Sequence, residues 1–210
     1  MLTVTRTANA GVLLELDGKR ILLDGVCGEV APYLPTPEKV KAALRQNYPD
    51  LVAVTHRHRD HCDPSFEANY EKNTGRKTVD PTFVGSAVSC GSVRVFPVAS
   101  RHIGKADCDH VSFILEGSRC VWFMGDASPN QWKNREDLPK PDLLIAPFAY
   151  ASTPSGWKMT RSLGAKAVVL LHMPDRAQDP VGLWPAVEQT VGTEKDVFIL
   201  QMEEFVKFDF

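Results

Sequence analysis

Four side chains able to hold a metal ion crowd into six residues: His56, His58, Asp60 and His61, in the spacing H-x-H-x-D-H. The apolar run Leu51-Val52-Ala53-Val54 leads into them, and Asp63-Pro64 follows. Asp63 suits a helix N-cap, and proline suits the first helical position. The cluster is therefore expected on a loop between the end of a buried strand and the start of a helix. Open α/β sheets collect their chemistry at such strand ends. Imidazole nitrogens and carboxylate oxygens suit zinc, iron or manganese. Four ligands on so short a loop crowd a single ion, so the spacing points to two adjacent metals. Three of the chain's six histidines lie here.

The rest of the chain reads as strands in clusters with helices between them. Ala10 to Leu16 and Lys19 to Leu23 flank Asp17-Gly18, a type I′ hairpin signal. Helices are expected over Pro37 to Asn47, capped by Thr36, and over Pro64 to Asn73, ended near Gly75. Val93 to Val98 is a strand, and Val111 to Leu115 with Cys120 to Met124 form a hairpin around Gly117-Ser118. Strands at 143–146 and 167–171, a helix from Thr153 to Leu163 and a helix from Val181 to Val191 with Pro185 in its first turn follow. Val197 to Leu200 and Glu204 to Phe208 close the chain as strands. No G-x-G-x-x-G follows a strand and no P-loop occurs, which speaks against a doubly wound sheet. Two packed sheets with helices outside fit better.

Composition bounds the function. At 210 residues one domain, 1–210, is the expectation. Hydrophobic residues make up 43% and charged residues 24%, with a net charge of −2, so the strong basic field of a nucleic-acid binder is missing. The N-terminal residues show no signal-peptide pattern, and no apolar stretch approaches the roughly 18–20 residues that span a bilayer. A cytoplasmic protein acting on a small molecule, with no nucleic-acid or membrane partner, is expected; the oligomeric state is open. The five cysteines are widely spaced without C-x-x-C, so reduced thiols are expected rather than a disulfide framework or zinc ribbon. Cys62, next to His61, is a candidate for the site wall.

Four further residues directly follow hydrophobic strands: Asp24, His102, Asp126 and His172. Strand ends on one side of a sandwich converge, so these can meet the 56–61 loop. With the H-x-H-x-D-H loop, His102, the Gly125-Asp126 pair after a hairpin and the late His172, the chain resembles the metallo-β-lactamase superfamily over nearly its whole length. The resemblance implies a four-layer αββα sandwich of two mixed β-sheets with two divalent metals at one edge, zinc first, manganese or iron as alternatives. It assigns His56, His58 and His102 to one metal, Asp60, His61 and His172 to the other, and Asp126 as the bridge. Asp24 would orient ligands from behind. The stretch from Ala8 to Asp24 looks most like the small hydrolase branch near the ascorbate-6-phosphate lactonase-like members. There is no long inserted arm as in RNA-processing members. His58 stands where flavodiiron members carry a glutamate.

The resemblance implies a metal-dependent hydrolase cleaving an ester, lactone or phosphodiester bond of a small molecule by a metal-bridging hydroxide. Asp60 would be catalytic, holding that nucleophile and passing its proton to the leaving group. The alternative is an iron-dependent oxidoreductase of the persulfide dioxygenase type on the same fold. Arg57, Arg59, Arg101 and Lys105 lie near the metal-loop positions and favour an anion; Tyr33, Tyr150, Ser152 and Thr153 are pocket candidates. His110 is the second catalytic candidate. A two-residue turn at Gly117-Ser118 pairs Leu115 with Cys120 and sets His110 opposite Gly125, diagonal to Asp126. From there it would donate to the substrate without touching a metal.

Overall fold

Alternating burial along the strands decides the layers. In β7 (Val111–Glu116) Val111, Phe113 and Leu115 enter one core while Ile114 enters another. In β8 (Cys120–Phe123) Val121 and Phe123 go one way and Trp122 the other. β9 (Leu143–Pro147) and β10 (Ala167–Leu171) divide alike, with Leu143, Ile145 and Val169 on the first side and Leu144, Val168 and Leu170 on the second. A strand buried on both faces needs a partner layer on each. The computed structural model, which describes residues 1–104, 108–133 and 135–210, supplies both.

One sheet has the order β12-β1-β2-β3-β4, built from β1 (Leu2–Arg6), β2 (Val12–Leu16), β3 (Lys19–Leu23), β4 (Leu51–Ala53) and β12 (Phe205–Phe208). The other has the order β11-β10-β9-β8-β7-β6-β5, adding β5 (Val88–Cys90), β6 (Val93–Ala99) and β11 (Val197–Ile199). Both are mixed: β3 and β4 are parallel in the first, as are β8 to β11 in the second, and the remaining pairs are antiparallel. The central core lies between the sheets, with Val4, Leu14 and Ile21 facing Val95, Phe113 and Phe123. Leu44 of α1 (Glu38–Gln46) and Phe66 and Tyr70 of α2 (Pro64–Thr74) cover the outer face of the first sheet. Trp157 of α3 (Pro154–Ser162) and Trp184 and Val187 of α4 (Leu183–Val191) cover the second. The expected αββα sandwich is the observed one.

Local chemistry explains most elements. Asp17 and Gly18 both take positive φ, 53° and 73°, as the type I′ turn between β2 and β3 requires. Asp63 caps α2 by accepting from the N–H groups of Ser65 and Phe66, Pro64 opens the helix, and Gly75 ends it in the left-handed region. Thr153 caps α3. Three expectations change. Thr36 does not cap α1; its hydroxyl accepts from Cys27 N–H at 2.9 Å, and Pro37 precedes the helix without a side-chain cap. Helix α4 starts at Leu183, after Asp179 accepts from the N–H groups of Leu183 and Trp184; Pro185 does lie in its first turn. The β7–β8 connection holds three residues, because Leu115 pairs with Val121 and Glu116 with Cys120. Its tip is tied to the opposite sheet, Ser118 donating to both carboxylate oxygens of the Asp17 turn. β1 and β5 were not read from the sequence.

The loop between β1 and β2 presses against the end of β3. A Cβ on Gly11 would come within 1.8 Å of the Asp24 carbonyl oxygen and 2.2 Å of its carbon. Only glycine fits there, and the obstacle is backbone rather than a flexible side chain. Gly11→Ala is expected to destabilise by about 2–3 kcal/mol. That would lower the melting temperature by roughly 5–10 °C for a chain of this size. Thermal denaturation followed by circular dichroism checks it, and an unchanged melting temperature would show that the loop can move away.

Candidate metal centre

Every candidate ligand sits just beyond a strand, on one edge of the sandwich. Asp24 follows β3, residues 55–63 follow β4, His102 lies shortly after β6, Asp126 after β8, and His172 after β10. Two backbone pairings lock this edge. Thr55 O accepts from Val111 N at 2.9 Å, joining the sheets. Segment 101–103 pairs with 126–128 through Ser128 N to Arg101 O and Ile103 N to Asp126 O, both 2.7 Å, which brings His102 beside Asp126.

The side chains fall into two triads, His56, His58 and His102 in one and Asp60, His61 and His172 in the other. Within each, the potential ligand atoms lie within 4.8 Å of one another. One oxygen stands between them. Asp126 Oδ2 is 3.4 Å from His61 Nε2, 3.5 Å from His102 Nε2 and 3.5 Å from His172 Nε2. Two ligands on one tetrahedral zinc, with bonds near 2.0–2.1 Å, are about 3.3 Å apart. The Nε2 atoms of His56, His61, His102 and His172 are buried without a hydrogen bond of acceptable geometry. One orphaned buried nitrogen costs about 1–3 kcal/mol. Four such nitrogens, three of them converging on the carboxylates of Asp60 and Asp126, fit a cation-binding centre.

The Nδ1 atoms show how the rings are aimed. Asp24 is buried, and its Oδ2 takes His61 Nδ1 at 2.8 Å and the Thr55 hydroxyl at 2.6 Å, while its Oδ1 takes Thr55 N–H at 2.7 Å. The Thr55 oxygen in turn lies 3.0 Å from His56 Nδ1. If each Nδ1 carries the proton, as this network favours, both Nε2 lone pairs face the centre. Asp24 also lies within ligand reach of His56 and His61, but both its oxygens are already engaged, so it positions rather than ligates. His102 Nδ1 donates to Ile103 O at 2.6 Å. His172 rests edge-on against Tyr33, ring centroids 4.4 Å apart. Its backbone is held from behind: His172 N–H donates to Asn9 O, and the buried Arg6 guanidinium donates to the carbonyls of Ala8, Asn9, Met173 and Leu200. Burial lowers the Arg6 pKa to about 10, opposed by Cys27 and Glu204, which leaves it charged at neutral pH.

Electrostatics support the arrangement. Burial raises the Asp126 pKa, but His172 and His61 outweigh it and hold the carboxyl well below the ordinary range. Asp60 follows the same pattern, burial opposed by a stronger pull from His172 and His61. Burial, followed by His61 and His110, lowers the pKa of His56 and keeps it neutral, as a ligand must be.

Several sequence expectations resolve differently. His110 Nε2 accepts the Asp126 N–H at 3.0 Å, and its Nδ1 meets Ser100 Oγ at 2.7 Å. Both ring nitrogens are thus engaged by the protein, which leaves no free donor for a substrate. The one-residue change in hairpin register places it opposite Asp126 itself. Cys62 donates to His58 O, and burial pushes its thiol up to about 11, so it braces the loop. Tyr33 reaches the centre through His172, whereas Tyr150 is fully buried, Ser152 donates to Ala149 O and Thr153 is a helix cap. Lys105 lies outside the described residues. Thr55, Ser100, Asn9 and Arg6 were not read from the sequence; only Thr55, adjoining His56, had a local signal.

Known proteins share this fold. The Beta-lactamase superfamily domain family matches residues 3–172, ending on the last candidate ligand. A UPF0173 metal-dependent hydrolase of Methanopyrus kandleri is 23% identical, covering 89% of this chain and 86% of its own. Igni18, a metallo hydrolase of the archaeon Ignicoccus hospitalis, superposes with a TM-score of 0.69 at 19% identity, over 100% of this chain and 99% of that one. CmlA, a diiron β-hydroxylase of Streptomyces venezuelae, superposes with a TM-score of 0.64 at 15% identity, over 99% of this chain and 54% of that one. With the match running through most of its length, the chain belongs to the beta-lactamase superfamily.

Proposed function

We propose that this protein is a metal-dependent hydrolase with a dinuclear centre, cleaving an ester, lactone or phosphodiester bond of a small molecule. The observation that carries the reading is Asp126 Oδ2, shared at 3.4–3.5 Å by Nε2 atoms from both triads. His56, His58 and His102 would hold one ion, Asp60, His61 and His172 the other, with Asp126 between them. Bound there, two divalent cations would supply Lewis acidity and lower the pKa of water toward neutrality. The ions are most readily zinc, since histidine and carboxylate are its ordinary ligands. The hydrolase names of the Methanopyrus and Ignicoccus proteins support the reaction class.

The chain's own part is proton handling and placement. Asp60 Oδ2 lies 3.2 Å from His172 Nε2 and is less buried than the histidines behind it. It takes a proton from the attacking water and returns it to the leaving oxygen as the scissile bond breaks. His110 acts at one remove: it fixes the Asp126 backbone N–H, and its own pKa, lowered by burial to about 3 against the pull of Asp126, keeps it a neutral acceptor. It is a positioning residue.

A second reading, an iron-dependent oxidoreductase, draws on the same donor set and on CmlA, whose diiron chemistry runs on this fold. Metal analysis with oxygen uptake separates the two. No helix among the described residues is long and apolar enough to cross a membrane. The unbridged thiols of Cys27, Cys62, Cys90 and Cys120 suit a reducing cytoplasm.

Elemental analysis of the purified protein is expected to give close to two zinc ions per chain, together with turnover of an ester, lactone or phosphodiester in a substrate screen. His58→Ala should halve the metal content and abolish most turnover. Stoichiometric iron with oxygen consumption would replace this reading by the oxidoreductase. Asp126→Ala should lose both ions, and retention of two tightly bound ions would remove its bridging role. His110→Ala should weaken metal binding and activity together, by about tenfold each, as expected for one lost buried hydrogen bond. Full metal affinity with a selective fall in kcat would instead restore His110 as a substrate donor.

A further inference from the structure

Arg57, Arg59 and Arg101 adjoin candidate ligands, and the structure treats them differently. The Arg57 guanidinium is committed away from the centre, donating to Glu67 at 2.7 Å and to Asp80. Arg59, between His58 and Asp60, has no acidic or carbonyl partner for its guanidinium among the described residues, yet it is not left loose. Its side chain lies on the main chain of Gly28: a Cβ there would stand 2.7 Å from Arg59 Nε, 2.8 Å from Cγ and 3.3 Å from Cδ. Gly28 has no left-handed φ to account for a glycine, so room for this arginine is what the missing side chain provides. The backbones also join, Gly28 N–H donating to Arg59 O at 2.8 Å. Arg101 has no comparable seat among the described residues.

Arg59 is exposed, and in sequence it lies between two candidate ligands. His58 is the exposed member of its triad, and the Asp60 side chain is 13% exposed. The loop that seats Arg59 through Gly28 also carries Tyr33, whose ring stands against His172. One loop therefore contacts both Arg59 and the candidate ligand His172. A guanidinium offers a planar fork of donors matched to carboxylate and phosphate oxygens, and a seated one loses less entropy on binding than a free one.

We infer that Arg59 is a substrate-specificity residue, whose guanidinium receives a carboxylate or phosphate group carried by the substrate next to the scissile bond; this rests on the hydrolase reading above. Binding and turnover test it separately on the metal-loaded protein. Glutarate and methylphosphonate are titrated by calorimetry into wild type, Arg59→Gln, Arg59→Lys and Gly28→Ala, with metal content and melting temperature measured on each. Arg59→Gln is expected to weaken the preferred anion by about 10- to 100-fold with two metals retained. Arg59→Lys should fall between. Gly28→Ala, which displaces the arginine without removing it, should shift affinity in the same direction. The tighter of the two anions names the substrate's group. In parallel, the KM of mono-4-nitrophenyl glutarate should rise in Arg59→Gln while that of neutral 4-nitrophenyl butyrate stays within twofold of wild type. Equal affinity of wild type and Arg59→Gln for both anions, or no binding to wild type, overturns the assignment even in an active hydrolase. Discrimination in binding without turnover of any ester, lactone or phosphodiester would instead overturn the hydrolase reading and leave Arg59 as an anion receptor.

Discussion

The centre depends on one buried carboxylate. Asp24 is 1% exposed, and stripping an ion of water costs several kcal/mol. Three hydrogen bonds offset that cost, two from Thr55 and one from His61. Burial raises its pKa, and His61 and Thr55 oppose the shift. The same bonds connect the end of β3 to the loop after β4 and turn two imidazole rings toward one point. Asp24 holds φ at 46°, a region that costs a non-glycine residue of order 1 kcal/mol or more. His172, on the far side of the centre, is held likewise at 62°. Strain at both sides of the ligand set persists because neighbouring backbone fixes each: Asp24 N–H on Ala53 O, His172 N–H on Asn9 O.

Those local ties need the two sheets at a fixed distance. At the metal edge, Thr55 O receives Val111 N–H, and Gly125, in the left-handed region at φ 54°, leaves room for the Thr55 side chain, which a Cβ would meet at 2.6–2.8 Å. At the opposite edge the Asp17 turn receives Ser118. The sandwich is thus pinned at both ends by polar contacts while apolar side chains fill the space between. Thr55 takes part in the strand-end pairing, the Asp24 network and the orientation of His56. Its loss would loosen all three, although it touches no candidate metal position itself.

How much of this was legible follows from distance along the chain. The H-x-H-x-D-H loop and its helix start were readable because strand, ligands, Asp63 cap and Pro64 all lie within fifteen residues. The clustering of strands with helices between them pointed to two packed sheets, while the division of each strand between two cores appeared only in the structure. Asp24, His102, Asp126 and His172 were visible only as polar residues ending apolar runs, and family resemblance had to supply their partners. The hairpin register was not legible: whether Gly117-Ser118 forms a two- or three-residue loop is decided with Asp17, a hundred residues away in sequence. That one-residue difference moved His110 from diagonal to directly opposite Asp126 and changed its reading from donor to support. Arg6 carried no signal because its partners are backbone carbonyls, which every sequence contains.

The balance of charge in the proposed dinuclear state bears on what can enter the site. Two divalent ions would bring four positive charges, and the ligating histidines are neutral in that state. Asp60 and Asp126 answer two charges directly, and Asp24 answers a third from behind. Acids near the loop but outside this set are themselves paired, Glu67 and Asp80 with Arg57 and Asp63 with Lys41, so they do not neutralise the remainder. In that state the centre would keep a positive excess, in a setting where burial weakens the screening that water would give. A neutral substrate gains little from such a field in its ground state. An anion would be drawn in by it, and the negative charge that develops on the attacked group would be stabilised further. Arg59, held against Gly28, would in the reading proposed above add a directional donor to that excess and convert a diffuse attraction into a preferred orientation.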